Sequence, residues 1–236
     1  TTDAGNVHGI TISSGAEATI GGDSAAERNV IAGNDQNGIL IGDIAGGNTT
    51  VQIQGNFIGL AADGATILAN NVGIRAELNA LNNVIGSGNV ISGNTTAGIS
   101  LAAGNTQIRG NLIGTDATGT LDKGNGTGIL LNADAATTTI GGSTTSARNV
   151  ISGNNVGIDM AGGATNANGT LIQNNFIGTA VNGTSPLGNA GNGINLDSDN
   201  NSIKNNTIAF NGGKGVALLV NAGANRITSN AIFSNT

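Results

Sequence analysis

The chain has 236 residues, 41 of them Gly, with one Pro, one His and no Cys, Trp or Tyr. Gly at this level without an every-third-residue period excludes collagen, and 38% hydrophobic residues are too many for a disordered Gly-rich linker. Charged residues make up only 9%, with 14 acidic against 8 basic and a net charge of -6, which argues against a nucleic-acid partner.

Without Cys there is neither a disulfide framework nor a thiolate zinc site, and the single His8 removes motifs that need two imidazoles. No apolar run reaches the roughly 18 residues of a membrane span, so no membrane insertion is expected. Thr1 is neither an initiator Met nor part of a signal peptide, and the expectation is one domain, 1–236, cut from a longer chain.

In chain order, eight Gly-led apolar segments recur. The first is Gly9-Ile10-Thr11-Ile12, followed by Gly38-Ile39-Leu40-Ile41, Gly73-Ile74, Gly98-Ile99-Ser100-Leu101 and Gly128-Ile129-Leu130-Leu131. Gly157-Ile158-Asp159-Met160, Gly193-Ile194-Asn195-Leu196 and Gly215-Val216-Ala217-Leu218 complete the set. Between them lie a second Ile (Ile20, Ile53, Ile85, Ile108, Ile140, Ile172, Ile203, Ile227) and then Asn-x-Ile, beginning at Asn29, Asn56, Asn89, Asn111, Asn149, Asn175, Asn206 and Asn230. The phrase N-V-I-[SA]-G-N falls at Asn29, Asn89 and Asn149, a fixed sixty-residue step that outranks other signals.

Each repeat thus holds three short strands separated by Gly and Asn turns, too little to bury its own apolar face. Stacking buries one Ile per strand in continuous columns, with parallel strands about 4.8 Å apart and right-handed crossovers. The fold class is therefore all-β: a right-handed parallel β-helix, or solenoid, of about eight rungs. The recurrent Asn is expected to tolerate left-handed backbone and to bond the next Asn in a ladder. Long and short loops alternate, and the long ones, 59–72, 114–127 and 178–192, should protrude on one side at every second rung. Phe57 and Phe176 share a column with Val30, Val90, Leu112 and Val150, which is expected to turn into the core at a corner in preference to forming an outer apolar stripe.

On these N-V-I-S-G-N repeats the chain resembles the parallel β-helix repeats of the pectin lyase-like superfamily, of the kind found in large bacterial secreted and surface proteins. The resemblance spans nearly the whole chain. It implies an extracellular or cell-surface location, while for activity it is silent, since the superfamily includes lyases, hydrolases, epimerases, adhesins and inert spacers.

The resemblance implies sites on the outer face of one sheet. On the Gly-led strands that stripe reads Thr11, Leu40, Arg75, Ser100, Leu130, Asp159, Asn195 and Ala217. Asp159 and Asp197 are the candidate catalytic residues. One strand step and two residues of rise would hold them roughly 8 Å apart, within the range of an inverting glycosidase pair. Only Lys204 could join them, and the surface-carboxylate reading outweighs the catalytic one. Arg75 and Glu77 share a face but lack the acidic neighbours a pectate lyase would need. Asp116 and Asp122 in the second long loop are the candidate metal ligands for Ca, although a hard cation wants six or more oxygens. No other cofactor is implied, and His8 reads as a surface residue.

The leading expectation is a non-catalytic stalk or adhesive module. A polysaccharide lyase or glycoside hydrolase, and a rod that self-associates end to end, are the alternatives. Expected partners are a polysaccharide or another cell-surface ligand.

Overall fold

The computed structural model describes residues 5–13, 15–42, 50–78, 80–132, 134–160 and 167–236. Three parallel sheets of eight strands each form a right-handed β-helix, every rung giving one strand to each sheet. Helix among the described residues is confined to two 3-10 turns, Ala25–Glu27 and Thr145–Ala147.

The first sheet stacks the Gly-led segments, from His8–Ile12 through Asn37–Ile41, Val72–Ala76, Ala97–Leu101, Thr127–Leu131, Val156–Met160 and Ile194–Leu196 to Val216–Leu218. In register, Ile10, Ile39, Ile74, Ile99, Ile129, Ile158 and Ile194 are direct neighbours, and Val216 ends the column. The second sheet aligns Ile20 through Ile227 in the same way. The third aligns Ile31, Ile58, Ile91, Ile113, Ile151, Ile177, Ile208 and Ile232, and these number the rungs from 1 to 8. The three columns meet in one apolar interior that runs from rung 1 to rung 7, while Ile227 and Ile232 of the last rung are exposed. Each fully buried Ile contributes about 1.5–3 kcal/mol by leaving water.

At the corner between the second and third sheets, the Asn of every Asn-x-Ile joins a ladder. Asn89 is representative: its Oδ1 accepts from the backbone N and Nδ2 of Asn56 at 3.0 and 3.1 Å, and its Nδ2 donates to Asn111 Oδ1, Ile53 O and Gly86 O, all at 2.9 Å. Every polar atom of a buried amide is thereby satisfied, which burial demands. The left-handed backbone expected of these Asn falls instead on the preceding residue in most rungs, as at Gly55, Gly88, Gly110, Asn174, Asn205 and Ser229.

A second ladder, not anticipated as a whole, occupies the corner between the third and first sheets: Asn34, Asn70, Asn94, Asn125, Asn154, Asn189, Asn211 and Asn235. The third corner is mixed. Asn83, Thr138, Thr170 and Asn201 are buried there with their side chains hydrogen-bonded, whereas the buried Thr106 Oγ1 has no partner among the described residues.

The three long loops do not stand free. Each is a small antiparallel hairpin pinned by a bridge, Leu60 to Ile67, Thr115 to Asp122 and Thr179 to Pro186. Each leans on the third sheet's outer face. Beneath them Phe57, Leu60 and Val90 form a second apolar cluster against Leu112. The Phe57 column therefore points outward, contrary to expectation, and is shielded by the hairpins instead of entering the core. Where no hairpin lies over it, Val30 is 46% exposed. Guanidinium groups cover two of the rings: Arg28 sits 4.1 Å from the Phe57 centroid, and Arg148 4.1 Å from that of Phe176.

The sixty-residue period follows from this packing. In odd rungs the backbone N of Gly33, Gly93 and Gly153 donates to Leu68 O, Lys123 O and Leu187 O on the returning arm of the next rung's hairpin. All three glycines have positive φ, and a Cβ on Gly93 would lie 2.8 Å from Ile67 Cγ2. The Ser of the motif fastens the hairpin's other arm: Ser92 Oγ donates to Thr115 O and accepts from Gly114 N, and Ser152 does the same with Thr179 O and Gly178 N. N-V-I-S-G-N is thus a socket, and the structural unit is a pair of rungs.

Candidate functional site

The outward stripe of the first sheet has the register read from the sequence, Thr11 through Leu40, Arg75, Ser100, Leu130, Asp159 and Asn195 to Ala217. Outward does not mean solvated: Leu40, Ser100 and Ala217 are buried. Ser100 Oγ accepts from Asn132 Nδ2 at 3.0 Å, so a change there removes a real contact.

Asp159 pairs across the sheet with Asn195, two residues before Asp197, as the strand phase requires. Both carboxylates are half-buried. Asn195 Nδ2 donates to Asp159 Oδ1 at 3.4 Å, and the backbone N of Asn221 in the next rung donates to Asp197 Oδ1 at 2.9 Å. Lys204 belongs to the second sheet, between Gln173 and Thr228, and does not join them. Arg75 and Glu77 form an exposed ion pair, which contributes at most about 1 kcal/mol. His8 heads the first sheet's column, its Nδ1 accepting from the backbone N of Asn37 at 3.3 Å.

Asp116 and Asp122 lie in the second hairpin with their oxygens turned to the loop itself. Asp116 Oδ1 accepts from the backbone N of Thr120 and Leu121, and its Oδ2 from Thr118 Oγ1. Burial raises the Asp116 pKa, but the hydrogen bonds from Leu121, Thr118 and Thr120 outweigh it and leave the carboxyl below its ordinary value. Asp122 Oδ1 accepts from Gly124 N at 2.8 Å. Among the described residues, no three His, Cys, Asp or Glu gather in a way that could hold a metal ion.

Two open hollows of about 370 Å³ follow the second ladder, where the hairpins return to the first sheet. One is lined by Asp35, Asn70, Asn71 and Thr95, the other by Thr95, Asp122, Asn125 and Asn155. These walls are polar and mostly uncharged. The sequence reading missed them because the hairpin insertions hide the Asn of the even rungs. Among the described residues, no helix is long and apolar enough to cross a membrane.

Comparison of the chain with protein-family models, with curated proteins and with solved structures found no match.

Proposed function

We propose that the chain is a non-catalytic structural or adhesive module, a stalk or interaction surface of a large extracellular bacterial protein of the pectin lyase-like kind. The observation that carries this reading is the continuity of both Asn ladders through all eight rungs. A catalytic groove asks for several charged side chains converging from adjacent rungs, a local departure from the repeat. Apart from Glu77, which pairs with Arg75, the carboxylates with assigned partners bond to backbone N–H groups, hydroxyls and an amide, and the hollows are lined mainly by neutral Asn, Thr and Gly with a single Asp in each. Regular coils of this kind suit a rod whose length and surface are the product.

The test is a turnover screen of the purified chain on acidic and neutral polysaccharides, reading new reducing ends and unsaturated products. Asp159→Asn and Asp197→Asn serve as controls. No turnover is expected. Turnover that either substitution abolishes would overturn the stalk reading in favour of a polysaccharide lyase or hydrolase.

A further inference from the structure

In a stacked repeat protein each unit touches only its neighbours, so stability is a sum of units and nearest-neighbour interfaces. The hairpins add links that skip a rung. The backbone N of Ala117 in rung 4 donates to Gly64 O in rung 2 at 2.8 Å, and that of Val181 in rung 6 donates to Gly119 O in rung 4 at 3.0 Å. Contact at these tips is close: a Cβ on Gly64 would lie 2.6 Å from Ala117 Cβ, and one on Gly119 2.9 Å from Val181 Cβ. Each hairpin is also fastened to the odd rung before it, through Gly33, Gly93 and Gly153. Opening rung 3 or rung 5 therefore disturbs a hairpin that is tied on both sides.

We propose that the hairpin row is an external strap that couples rungs 1–6 beyond nearest neighbours, so that they open as one unit and not rung by rung. Rungs 7 and 8 lie outside it. In rung 7 the socket position is taken by Phe210, also at positive φ, whose ring packs edge-on against Phe233 with centroids 5.6 Å apart. The strap does not depend on the biological role proposed above.

The turn geometry supplies a clean test. Gly64, Gly119 and Gly183 donate to Ala61 O, Asp116 O and Ala180 O, so Ala62, Ala117 and Val181 are each the second residue of a four-residue turn, where Pro fits. Ala117→Pro and Val181→Pro delete the strap bonds and keep the turns. Ala62→Pro makes the same change where the N–H has no partner among the described residues. Native-state hydrogen exchange along a urea series would follow the amides of Ser92, Gly114, Ser152 and Gly178, each bonded to the preceding rung.

In the parent and in Ala62→Pro all four should share one urea dependence. In the Ala117→Pro/Val181→Pro double variant, Ser152 and Gly178 should separate from Ser92 and Gly114 and exchange about tenfold faster, as expected for a loss of about 1.4 kcal/mol. The single variants, read in the same way, should each split the coil at their own link if the double variant does not fold. The proposal fails if the strap variants match Ala62→Pro, or if Ala62→Pro splits the coil by itself.

Discussion

Inside the coil the two Asn ladders and the apolar columns repeat the same contacts from rung to rung, whereas the three hairpins outside reach one backbone shape with different side chains. In the first hairpin Asp63 Oδ1 accepts from the backbone N of Ala65 and Thr66, and in the third Asn182 Oδ1 accepts from Thr184 and Ser185. The second places Thr118 at that position and closes the turn from Asp116, two residues earlier. The ring beneath varies as well: Arg28 covers Phe57 and Arg148 covers Phe176, but Gly88 precedes Asn89 where Leu112 replaces the ring. Burial explains the contrast. A side chain whose every polar atom is out of water has one acceptable partner set, while an exposed turn can be closed by any nearby acceptor with water completing the rest.

The largest expected effect lies in the interior. Ile129→Ala, at a fully buried position in mid-column, should cost about 2–5 kcal/mol in urea unfolding through the cavity it leaves. A loss below about 1 kcal/mol would mean that the columns are loosely packed.

The ladders come next. Asn154→Ala would strip the acceptor from Asn125 N and Nδ2 and the donor from Asn189 Oδ1, each at 2.9–3.1 Å and all buried. About 1–3 kcal/mol per orphaned group is the scale, less what relaxation recovers. Asn182→Ala in the third hairpin removes similar bonds in the open and should cost under about 1 kcal/mol. Equal losses at the two sites, measured by urea unfolding, would erase the distinction between inside and outside.

Thr106→Val reverses the sign. Its buried hydroxyl has no partner among the described residues, so an isosteric apolar side chain should leave stability unchanged or raise it by up to about 1 kcal/mol. A clear loss in thermal or urea unfolding would show that the hydroxyl has a partner in solution.

The interior was legible in the sequence because it repeats: one Ile per strand and one Asn per rung fix sheet number, register and the outward phase of Asp159 and Asn195. The hairpins were legible only as alternating lengths and a shared G-x-x-x-x-G-[TA] pattern in the long loops. Nothing in the spacing says that Ile67 docks on Gly93, or that the Phe57 ring lies beneath Gly64. The first contact joins adjacent rungs and the second folds a hairpin back on its own rung, both through exposed loops whose sequences share little beyond their spaced glycines. For the same reason Asp116 and Asp122 read from the sequence as a carboxylate pair, while in the fold their assigned hydrogen bonds come from the loop's own backbone and Thr118.

The smallest effect separates two hairpins of the same shape. Hydrogen bonds from the Thr66 hydroxyl, then from the backbone N of Thr66 and Ala65, hold the Asp63 carboxyl below its ordinary value, at about 2. A depressed folded-state pKa contributes stability that is complete above the unfolded value and drains away as pH falls through the folded one. The first hairpin should therefore loosen between about pH 4 and pH 2. The third has the neutral Asn182 in the same place and should not respond through that group. Chemical shifts of the Thr66 and Ser185 amides, followed through that window, would read the difference. Asp63→Asn should make the first hairpin as indifferent to acid as the third, and a Thr66 shift that persists in this variant would assign the acid response to another carboxylate.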